Sequence, residues 1–71
     1  MSLTALAEHF AAEGWQVDRC SFNGAPLVTA TRGVLLVSVL EHRGSWLVMH
    51  GAGRAMVGLG DLKAVQQELQ R

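Results

Sequence analysis

Three dipeptides ending in glycine, Asn23-Gly24, Arg32-Gly33 and Arg43-Gly44, punctuate the middle of this chain, each between two runs of β-type residues. Asn-Gly is the strongest short hairpin signal, because a type I′ turn needs positive φ at both central positions. WQVDRCSF precedes the first dipeptide and APLVTAT follows it. VLLVSVLEH comes after the second and SWLVMH after the third. Parallel neighbours need a crossover of a dozen or more residues, so strands joined this tightly must form an antiparallel meander. Pro26 stands near the start of its run, where a strand tolerates proline. RGVLLV from Arg32 and RGSWLV from Arg43 echo each other as successive meander arms; two copies do not make a solenoid. Beyond them, Arg54–Val57 is expected as a short fifth strand among Gly51, Gly53, Gly58 and Gly60.

Helical spacing brackets the meander. Leu3, Leu6 and Phe10 recur at i, i+3 and i+7 among alanines, with Ser2 or Thr4 as N-cap and Gly14 placed as a C′ glycine. Leu62, Val65 and Leu69 repeat the pattern behind Asp61, a good N-cap, with Lys63, Gln66, Gln67 and Glu68 facing outward. The expected fold is α+β, a two-layer sandwich in the order α-β-β-β-β-(β)-α. A four- to five-stranded antiparallel sheet carries both helices on one face.

At 71 residues the chain has room for one domain, 1–71, and a core of that size supplies little stability by itself. The size excludes a multi-domain enzyme. Six basic and six acidic residues cancel, and the basic ones are scattered, which argues against nucleic acid as a partner. Five Arg to one Lys, with no Ile or Tyr, suggests a GC-rich bacterial or phage genome. Cys20 is the single cysteine, the opening residues lack the pattern of a signal peptide, and the longest apolar run, Val34–Leu40, is too short to span a bilayer. The expected setting is cytoplasmic, with no membrane contact.

If all three hairpins have two-residue loops, Phe22 pairs with Ala25, Thr31 with Val34 and His42 with Ser45. Opposed residues share a face, and alternation fixes the rest. One face then holds Trp15, Val17, Val28, Ala30, Leu35, Val37, Val39, Trp46 and Val48, and is assigned to the helices. The other holds Cys20, Phe22, Leu27, Leu36, Leu40, Leu47 and Met49 among Gln16, Asp18, Thr29, Thr31 and Ser38. A wet sheet face should alternate cleanly into polar residues, and this one does not. An apolar patch on a small chain marks an interaction site, and a twofold dimer is its simplest use. Phe22, Leu27, Leu36, Leu40, Leu47 and Met49 are therefore the expected partner-binding residues, for a second copy of the chain or another protein.

No motif names a chemistry. His42 and His50 stand at opposite ends of one hairpin, His9 faces outward, and Cys20 lies on the face away from His50, so neither a metal site nor a nucleophile pair is expected. HGAGRAMVGLGD lacks the Gly-Lys-Ser/Thr ending of a phosphate loop and sits in an antiparallel context, and no cofactor is expected. Arg32, His50 and Arg54 are expected near one end of the sheet, where they would suit an anion or an acidic partner surface.

The order α-β-β-β-α resembles a double-stranded RNA-binding domain, which implies a lysine cluster opening the last helix; GLGDLKAVQQ offers Lys63 alone. EHFAAEGWQVDR, APLVTA and VLLVSVLEHRG are faintly similar to the opening of restriction-endonuclease-like nuclease cores over about residues 4 to 42. Where that family carries an acidic residue after the proline and a Glu-x-Lys, this chain has Leu27 and Ser38-Val39-Leu40. The resemblance implies a nucleic-acid-associated core without catalytic residues, working through Arg32, Arg43 and Arg54. The principal expectation is a non-enzymatic, homodimeric protein-interaction module.

Overall fold

In the computed structural model, which describes residues 1–51 and 53–70, the chain opens with a helix, α1, over Leu3–Ala12. Ser2 Oγ accepts from the Ala5 N–H at 3.1 Å, the capping geometry its sequence position suggests. The helix ends in a Schellman motif. Gly14 takes φ 91°, its N–H donates to Ala11 O at 3.1 Å, and the Trp15 N–H donates to Phe10 O at 3.0 Å. The apolar contact belonging to that motif is present too: the Phe10 and Trp15 rings meet edge-on with centroids 5.4 Å apart.

Five strands follow: β1 Gln16–Phe22, β2 Ala25–Arg32, β3 Leu35–His42, β4 Ser45–His50 and β5 Gly53–Gly58, then helix α2 over Leu62–Leu69. They form one sheet in sequence order with every neighbour antiparallel. The expected α+β two-layer arrangement is the one observed, and the bracketed fifth strand is a full member of the sheet. Asp61 caps α2, its Oδ1 accepting from the Ala64 N–H at 3.0 Å.

The hairpin pairs Phe22–Ala25 and His42–Ser45 stand as read from the sequence, and Asn23 and Arg43 both take positive φ. The middle hairpin differs. Thr31 lies opposite Leu36, not Val34, because the loop is Gly33-Val34 and Arg32 remains in β2 opposite Leu35. Arg43-Gly44 carries positive φ at its arginine, so an Arg-Gly dipeptide fits either turn; here Gly33 at φ 62° opens the loop and Val34, outside the positive-φ region, closes it. Keeping Arg32 in the strand also seats its guanidinium 4.5 Å from the centre of the Trp15 ring. The displacement is two residues, so every side chain keeps its face.

Val28, Ala30, Val37, Val39, Trp46 and Val48 point toward the helices and build the core with Leu3, Leu6, Ala7, Phe10 and Val65. Helix α1 packs over β1 and β2, and α2 over β4 and β5. Trp15 and Val17 are half-buried at the rim of this core, while Leu35, on the same face, extends beyond the helices and is exposed. Trp46 is fully buried, and its indole Nε1 has no hydrogen-bond partner. No helix among the described residues is long and apolar enough to cross a membrane.

Candidate interaction surface

With both helices on one side, the other face of the sheet is left to its own side chains, and the ladder orders them into rows. Cys20 pairs with Leu27, Leu27 with Leu40, Leu40 with Leu47 and Leu47 with Met56. That row crosses all five strands without a polar residue. Flanking one another at the distances of directly opposed pairs, these side chains shelter the central member: Leu40 is 8% exposed with no helix above it. The outer members are open, with Met56 53% exposed.

Toward the Gly33-Val34 end the next row reads Asp18, Thr29, Ser38, Met49, Arg54. Its charges stand at its two ends, one acidic on β1 and one basic on β5, and both are exposed. Toward the opposite end, two residues on, Phe22 stands on β1 and Gly58 on β5, and Phe22 is 58% exposed. The face is thus apolar through the middle and unlike at its two edges.

Phe22, Leu27, Leu40, Leu47 and Met49 all lie on this face within adjoining rows. Leu36 shares the face and borders a shallow cleft with Met49, but it pairs with Thr31, and Ser38 stands between it and Leu40 along β3. Met56 completes the apolar row and was not among the residues expected there. Its signal was the alternation of Arg54-Ala55-Met56-Val57, which becomes readable once His50 is paired with Gly53.

The three rim residues divide between the faces. Arg32 and His50 project toward the helices, while Arg54 pairs with Met49 and belongs to the outer face. Arg32 and His50 border a cleft of about 510 Å³ between α1 and α2, with His9, Glu13 and Trp15 also on its lining. Its polar groups engage one another. His9 Nε2 lies 2.8 Å from Glu13 Oε1 and 3.3 Å from the Gln66 amide nitrogen, a link between the two helices. His50 Nε2 lies 3.4 Å from Glu68 Oε2, tying β4 to α2, and Arg32 stacks on Trp15.

Cys20 is exposed and not in a disulfide, and among the described residues no three His, Cys, Asp or Glu side chains converge as metal ligands. The sheet has five strands where the RNA-binding domain pattern has three. Comparison with protein families, with curated proteins and with solved structures finds no match for this chain.

Proposed function

We propose that this chain is a non-enzymatic interaction module whose helix-free sheet face is its binding surface, and that a second copy of the chain occupies it. The observation that carries this reading is the row Cys20, Leu27, Leu40, Leu47 and Met56, apolar from one edge of the sheet to the other. Monomeric proteins rarely leave a continuous apolar surface in water, and a domain this small gains most from covering it. A twofold dimer covers two such faces at once.

The size supports the same reading. Five strands at about 4.8 Å spacing, with about four outward residues on each, make a face of roughly 24 by 27 Å. Two copies bury on the order of 1,200 Å², the lower end of the range for a specific interface. Analytical ultracentrifugation of Leu47→Asp and Met56→Lys tests it. Met56 is exposed in the single chain, so Met56→Lys keeps the fold, and circular dichroism checks both variants. The expected result is a wild-type dimer converted to a folded monomer by either change. Variants that sediment like wild type would overturn the reading.

A further inference from the structure

We infer that the two copies pack with their twofold axis along β3, so that β1 of each lies over β5 of the other and Asp18 pairs with the partner's Arg54. This inference rests on the self-association proposed above and fixes its geometry. Sheets stack face to face either aligned to within about 30° or crossed near 90°. The crossed class is built with strands that pass from one sheet into the other, which two separate chains lack. A twofold axis relating two aligned faces lies in the plane between them, either along the central strand or across it.

The rows decide between the two. An axis along β3 returns each row to its own height and exchanges its ends. The apolar row then meets itself, with Leu40 against the partner's Leu40, Leu27 against the partner's Leu47 and Cys20 against the partner's Met56. The charged row also meets itself, and its ends are opposite in sign: Asp18 faces Arg54 of the partner subunit, twice per dimer. At the far end, the exposed Phe22 ring faces the partner's Gly58, a position without a side chain.

An axis across the strands through the Leu40 row exchanges the rows instead. Phe22 then lies over the partner's Asp18, an aromatic ring against a carboxylate. Arg54 lies over the partner's Gly58, a cation with no acid. This arrangement makes no charge pair and desolvates two charges of each copy, which is costly. The first arrangement matches both charge and volume; the second matches neither.

Cys20 gives a direct test. Within one chain Cys20 and Met56 are separated by four strand spacings, about 19 Å, so no disulfide can join them there. Met56→Cys, oxidised with copper-phenanthroline and run on a non-reducing gel, is expected to give a covalent dimer. Peptide mapping is expected to join Cys20 to the cysteine introduced in the partner, while the wild type stays uncrosslinked. Asp18→Arg and Arg54→Asp are each expected to weaken dimerisation roughly tenfold, and the two together in one chain to restore it.

A Cys20-to-Cys20 crosslink in the wild type, or a 56-to-56 crosslink in the variant, would overturn the axis along β3. So would a dimer by ultracentrifugation that shows no crosslink and ignores the charge exchange. A monomeric wild type would instead overturn the underlying self-association, which keeps the two failures apart.

Discussion

Leu40 stands directly across from Leu47 in the β3–β4 ladder, and the two form the middle of an apolar row on the side of the sheet that carries no helix. The helix-side core faces the other way. Leu40 is buried within the outer row, whereas Met56 at its end is exposed in the single chain, so substitutions at Met56 should separate association from stability.

On the helix face, Trp46 fills the core completely but leaves its Nε1–H without an acceptor. Trp46→Ala removes the largest fully buried side chain and is expected to cost about 3–5 kcal/mol, enough to unfold much of the population. Trp46→Phe keeps most of the ring and removes the orphaned donor, so its net cost should stay below about 1.5 kcal/mol. Urea melts of the two variants check the difference.

Asp61 holds the start of an eight-residue helix through a single capping bond to Ala64 N–H. Asp61→Ala is expected to destabilise the protein by about 1 kcal/mol, while Asp61→Asn should be nearly neutral, since its side-chain oxygen accepts in the same way. Loss of less than about 0.3 kcal/mol in the alanine variant would show that α2 is held by Val65 and its packing alone.

Arg43 occupies the first central position of the β3–β4 turn at φ 52°, a conformation in which a long side chain is strained. Arg43→Asn creates the preferred Asn-Gly turn and is expected to stabilise the protein by about 0.5–1 kcal/mol. Thermal melts read this as a rise of a few degrees.

Much of this architecture was legible because hairpin dipeptides and alternation act together. Phe22–Ala25 and His42–Ser45 followed from counting, and the face of every strand residue survived even where the count was off. Thr31 met Leu36 instead of Val34, but a two-residue slip preserves the alternation, so Val28 and Val37 stayed inside. The slip was not readable from Arg32-Gly33 itself, because the same dipeptide fits two turn types. What separates them is a tertiary contact, Arg32 over Trp15, between residues far apart in sequence.

The candidate surface was legible in part for the same reason. Leu27, Leu40 and Leu47 followed from alternation. Met56 was obscured by the glycines around β5, which weaken any strand signal. Leu36 also followed from alternation, and in either register Ser38 stands between it and Leu40 along β3. The division of Arg32 and His50 from Arg54 depended on the β4–β5 register, which no single dipeptide announces.

Sedimentation equilibrium of the wild-type chain over a range of concentrations decides whether two copies associate. Self-association through the outer face predicts a mass that rises to twice that of one chain and a dimer that Met56→Lys abolishes without loss of helix or sheet signal. A single-chain mass at every concentration would contradict it.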